Sequence, residues 1–145
     1  MKRRNVFNAA ILGALAVAAF FALIGPRAAR AAELDGQSDI LVVASRTLGQ
    51  GNFTGMPGAW CAWAVSAWLQ ATGHKPLANG MAVSALSYGP RVAHPKPGDL
   101  VVMRGHVGVV VADLGPEVLI ISGNWSHRVA RAFISRRSVV AFIAV

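Results

Sequence analysis

Residues 58–73 read GAWCAWAVSAWLQATG. Between Ala59 and Thr72 there is no Gly or Pro, alanine recurs, and Gly73 stands where helices commonly place a terminal glycine. The stretch therefore predicts a helix of about three to four turns. Cys61, Val65, Trp68 and Leu69 fall on one face of it, and Trp60, Trp63 and Ala67 on another. Apolar residues nearly all round predict a helix buried on most sides. Cys61, the only cysteine of the 145 residues, lies in its first turn.

Outward from this helix the chain changes character. On the N-terminal side, SDILVVASRTLGQG (38–51) has Ser38 or Asp39 as a cap and Ile40, Val43, Ala44 and Leu48 at helical spacing, with Gly49 and Gly51 as the stop. A Gly-rich loop follows to Gly58, and a short helix is expected over 81–88, capped by Asn79 and stopped by Gly89. After the turn cluster HPKPGD (94–99), β-rich runs cover 100–103, 106–112, 118–122 and 139–145, with a weaker one around 129–134. Arg104-Gly105 and Gly115-Pro116 are short connections, so the first three runs predict an antiparallel meander. Helices first and strands second predict an α+β fold, one sheet packed on the central helix.

The N-terminus sets the compartment. Lys2, Arg3 and Arg4 precede an apolar run from Ala9 to Ile24, then Gly25-Pro26 and Ala29-Arg30-Ala31. This is the layout of a secretory signal cleaved before Ala32, with an uncleaved membrane anchor as the alternative. Either way residues 32–145 form a single exported domain, periplasmic or secreted. Five of the fourteen Lys and Arg and none of the six acids lie in residues 1–31, so without them the formal charge of +8 falls to +3. That excludes a nucleic-acid footprint and leaves a mildly basic surface suited to an anionic polymer. The sequence carries no signal for an oligomeric state.

A lone thiol in an oxidising compartment is either buried and inert or retained for its reactivity. Metal ligation is disfavoured, because no paired Cys or His spacing is present, and no cofactor motif is seen. As a nucleophile Cys61 needs its thiolate stabilised, which a helix N-terminus and a nearby histidine both do, taking such thiols to about 3.5–7.5. Of four histidines, His74 lies past the far end of the helix, about 20 Å along its axis. His94 and His127 sit in polar loops. His106 opens a strand directly after a tight turn, where it is either structural or a base held at the helix start. Asn124, ending the next strand, either orients that imidazole or merely makes a turn. Trp60, Trp125 and His127 are candidates to line a cleft.

PGAWCAWAVSAWL (57–69), PKPGDLVVMRGHVGVVV (95–111) and IISGNWSHRV (120–129) together resemble the motifs of the CHAP (cysteine, histidine-dependent amidohydrolase/peptidase) family of the papain-like superfamily, in its small secreted bacterial members. The resemblance runs from about Ile40 to Val145. It implies a papain-like fold and hydrolysis of amide bonds in peptidoglycan, with Cys61 as nucleophile, His106 as base and Asn124 as orienting residue. The chain departs from papain-type enzymes at one place. The upstream Gln that donates to the oxyanion falls on Gly55, with Gln50 and Asn52 further back. A non-catalytic wall-binding or scaffolding module that keeps the fold is the alternative.

Overall fold

A computed structural model describes residues 39–145. The expected signal or anchor over 1–31 and the candidate cap Ser38 lie outside the described residues. Helix α1 spans Asp39–Arg46 and α2 spans Cys61–Ala71, and a 3-10 helix covers Ala82–Ser87. Strands follow as β1 (Arg91–Val92), β2 (Leu100–Met103), β3 (His106–Asp113), β4 (Glu117–Trp125), β5 (Arg128–Ser135) and β6 (Val139–Ile143), with a 3-10 turn, Arg136–Ser138, before the last. Among the described residues no helix is long and apolar enough to cross a membrane.

The strands form one antiparallel sheet in the order β1-β6-β2-β3-β4-β5. The expected meander of β2, β3 and β4 is present and extends to β5. β6 returns to pair with β2 on the opposite side, and it also pairs with β1. β1 has only two residues and was not visible as a strand in the sequence. It is fixed by its partner: Ala144 N donates to Pro90 O at 2.9 Å, and a side chain on Gly89 would collide with Ala144 O.

The pleat sorts the strand side chains into two layers. Leu100, Val102, Val107, Val109, Val111, Leu119, Ile121 and Ile143 join the helices in the main core. Val101, Val110, Val118, Ile120, Ile134 and Phe142 form a smaller cluster on the other face. A register shift between Val110 and Ala112 turns Val111 and Ala112 both toward the helices.

α2 is the centre of the main core. Ala62, Ala64, Val65 and Leu69 are fully buried, and Trp68 nearly so. Each large side chain buried this way contributes roughly 1.5–3 kcal/mol. The polar atoms on this helix have specific partners. Trp68 Nε1 donates to Thr47 Oγ1 just after α1 (3.2 Å), and Ser66 Oγ accepts from Leu77 N (3.1 Å). The helix ends as the sequence predicts: Gly73 has a φ of +81°, and His74 N donates back to Leu69 O at 2.9 Å.

The far end of the sheet is tied by charge. Arg136 Nη1 bonds Asp113 Oδ1 at 2.6 Å, Nη2 donates to Ala93 O at 2.6 Å, and the guanidinium lies over the Phe142 ring at 5.1 Å. Asp99, at the same end, accepts from Lys96 N (2.8 Å) and Val145 N (3.4 Å). That is the structural role its Pro-Gly-Asp turn suggests.

Candidate active site

Cys61 is the first residue of α2. The residue before it, Trp60, occupies the cap position without any side-chain cap, and no acid lies in the first turn. The first N–H groups of a helix have no intrahelical acceptor, so here they remain available to an anion, reinforced by the helix dipole. Cys61 is 2% exposed.

The site's other half comes from the sheet. Gly105, with a φ of +72°, closes the two-residue connection between β2 and β3 and leaves His106 as the first residue of β3, paired with Met103. β4 lies on its other side in the register Val109↔Ile121 and Val110↔Ile120. Continued in step, that register sets Gly123 beside Val107. Gly123 is also where α2 rests: a Cβ there would sit 2.5 Å from Ala64 Cβ and 2.7 Å from the Trp60 ring. The start of α2, the start of β3 and the end of β4 therefore share one end of the fold. Val107 points to α2, while His106 belongs to the alternate set with Gly108 and Ser122. Among the described residues no hydrogen bond joins Cys61 to His106.

The imidazole does have a partner. His106 Nε2 lies 2.9 Å from Ser122 Oγ, and Ser122 is completely buried. Trp125 packs against the ring edge-on, centroids 5.3 Å apart at 73°. Burial holds the His106 pKa below its ordinary value by penalising the charged form. Ser122 was not singled out in the sequence. The signal that could have found it is a lone hydroxyl in the apolar run VLIIS, two residues before Asn124 and so on the same face of the strand.

Asn124, the last residue but one of β4, has a φ of +55°, within an irregularity of register between Ser122 and Trp125. Ser126 and His127 follow with φ of +53° and +63°, making a two-residue hairpin of the type with both central residues left-handed, closed by the pair Trp125↔Arg128. His127 is exposed at this tip, and Trp125 is half-buried against His106. Trp60, the third residue expected at a cleft, is 3% exposed and sits in the core, edge-on to Phe53 at 6.0 Å.

The two upstream amide candidates are held in different ways. The Asn52 side chain is used within its own loop, donating to Met56 O and accepting from Thr54, while Gln50 is held by its backbone, exchanging bonds with Val129 through Gly49 N and Gln50 O. A polar cleft lined by Asp39, His74, Lys96 and Asp99 contains none of the expected site residues and lies toward the other end of the sheet.

A helix-start cysteine and a strand-start histidine thus lie at one end of an α+β scaffold. The chain belongs to the CHAP family: the family model of the CHAP domain matches residues 51–124, half of the chain, from the loop before α2 to Asn124. CHAP domains are in general cysteine- and histidine-dependent amidohydrolases or peptidases associated with peptidoglycan. No curated protein and no solved structure matches the chain.

Proposed function

We propose that this protein is an exported cysteine amidase or endopeptidase of papain-like type that hydrolyses amide bonds of bacterial peptidoglycan. The observation that carries the reading is the uncapped start of α2: the only cysteine of a CHAP chain is its first residue, at the end of the sheet where β3 begins with His106. Export by the N-terminal segment 1–31, leaving 32–145 in the periplasm or outside the cell, is part of the same proposal.

In the reaction, His106, which the pleat sets apart from the α2-facing side chains and whose ring must first be brought to the thiol, takes its proton at Nδ1 as Sγ attacks the amide carbonyl carbon. The carbonyl π electrons move to oxygen, and the backbone N–H groups at the start of α2 receive the oxyanion. Collapse breaks the C–N bond while Nδ1–H protonates the leaving amine. Water then attacks the thioester carbon as Nδ1 takes its proton, the C–S bond breaks to release the carboxylic acid, and Nδ1–H returns the proton to Sγ. Asn124 is the orienting residue by motif, and Ser122 by contact.

Charge placement supports an anionic substrate. Arg104 in the β2–β3 connection and His127 and Arg128 in the β4–β5 hairpin are exposed at the active end. Among the described residues the acids lie elsewhere: Asp113 and Glu117 flank the β3–β4 turn, and Asp39 and Asp99 line the distal cleft. Such a field favours approach of a polymer carrying free carboxylates.

The burial of Cys61 favours a second reading, a wall-binding module without turnover. Incubating the purified protein with wall sacculi separates the two. New amine and carboxyl termini that vanish in Cys61→Ser and His106→Ala support the hydrolase. Retention on sacculi with no new termini supports the binding module.

A further inference from the structure

We infer that Ser122 positions His106, its hydroxyl accepting a hydrogen bond from Nε2–H and so presenting Nδ1 as the free base. The catalytic meaning of this inference rests on His106 acting as the base proposed above. The hydrogen-bond arrangement stands on its own.

Three features build the contact. In the register of β3 with β4, Ser122 falls opposite Gly108, two residues from His106 on the same face. Such a diagonal neighbour lies about 7–8 Å away by Cα, within reach of an imidazole only if nothing fills the space between. Gly108 leaves it open. A Cβ at Gly108 would sit 2.9 Å from Ser122 Cβ and 2.8 Å from Ile121 O, so a side chain there is excluded by backbone as well as by the serine. Trp125 closes the other side of the ring. The ring is thus held between an aromatic edge and one buried hydroxyl, with Nε2 committed to the hydroxyl at 2.9 Å.

The chemistry follows from the donor and acceptor inventory. Neutral imidazole has one N–H and one lone pair, and a serine hydroxyl can answer either. If Ser122 donates, the proton sits on Nδ1 and His106 cannot take one from a thiol through that atom. If Ser122 accepts, Nδ1 is the base, and the same bond persists in the imidazolium, where both nitrogens carry protons. The accepting arrangement therefore holds through the whole proton cycle. Being neutral, Ser122 fixes the ring's orientation without adding a charge to a site made of apolar and aromatic groups. Asn124, two residues on, occupies the left-handed bulge that leads β4 into the hairpin.

The test reads the tautomer directly from ¹⁵N chemical shifts of His106 in the labelled full-length protein, well above its pKa. The expected spectrum is that of the Nε2–H form. In Ser122→Ala the two tautomers should mix, and in Asn124→Ala the Nε2–H form should persist. For the same variants, kcat on sacculi should fall about tenfold in Ser122→Ala, the worth of one buried hydrogen bond, with KM unchanged. An Nδ1–H tautomer in the unaltered protein overturns the inference, as does a spectrum unmoved by Ser122→Ala but shifted by Asn124→Ala. The first measurement needs no variant to fold. A protein with the expected tautomers that cleaves no wall material contradicts the hydrolase reading alone.

Discussion

His106 Nε2 reaches Ser122 Oγ at 2.9 Å across a position where β3 has no side chain. This relationship makes Gly108 as much a part of the site as the residues it separates. Gly108→Ala should destabilise the fold by about 1–3 kcal/mol, because the new Cβ meets Ile121 O, which belongs to the neighbouring strand and cannot rotate away. Urea unfolding gives the stability. The His106 tautomer spectrum should lose its single form in the same variant.

Gly123 does for α2 what Gly108 does for the imidazole. In Gly123→Ala the added methyl would press on Ala64 and Trp60 and lift the start of α2 from the sheet. The expected result is a loss of about 1–3 kcal/mol together with faster alkylation of Cys61, whose cover is disturbed. An unchanged alkylation rate would show that the thiol's burial does not depend on this contact.

Burial of His106 makes stability depend on pH in a definite direction. Its folded pKa lies below its ordinary value, so between the two the unfolded chain binds more protons than the folded one. Stability should therefore fall as pH drops through the ordinary imidazole value, about 6.5, and stop falling on this account below the lowered folded value. In His106→Gln this component should disappear. Thermal midpoints measured at closely spaced pH values for both proteins provide the check.

The hairpin tip carries strain that a different sequence would relieve. Ser126 and His127 both have positive φ, the conformation that Asn-Gly adopts most readily. The double substitution Ser126→Asn with His127→Gly should raise stability by roughly 1 kcal/mol, seen as a higher thermal midpoint. If His127 also meets substrate, the more stable protein will show a higher KM on sacculi.

Arg104 and Arg128 should act on substrate capture more than on chemistry. Arg104→Gln with Arg128→Gln is expected to raise KM several-fold at low ionic strength, leave kcat unchanged, and flatten the salt dependence of kcat/KM. A fall in kcat with unaltered salt dependence would contradict the role given to these charges.

Much of this architecture is legible in the sequence because it is written in local patterns. The unbroken run from Ala59 to Thr72 and the glycine after it mark α2, and the short connections at Arg104-Gly105 and Gly115-Pro116 mark the meander. β4 and β5 run longer than their apolar cores suggest, since Gly123 and Asn124 read as turn residues yet lie within β4, in the register irregularity between Ser122 and Trp125. β1 and the return of β6 beside β2 are set by long-range pairing, which no local pattern encodes. The same limit applies to the site. Cys61 and His106 stand out as a lone thiol at a helix start and a histidine at a strand start. Ser122 becomes visible only when the register of β3 on β4 and the empty place at Gly108 are known. Trp60 shows the reverse error: an aromatic beside the cysteine suggests a cleft wall, but Gly123 leaves room for its ring in the core.

The most direct test of the central claim is mass spectrometry of wall sacculi after incubation with the purified protein, its Cys61→Ser variant and its His106→Ala variant. Cleavage by a Cys61 nucleophile predicts one class of new amine and carboxyl termini with the unaltered protein and none with either variant. New termini that persist in Cys61→Ser, or their absence from all three digests, would contradict it.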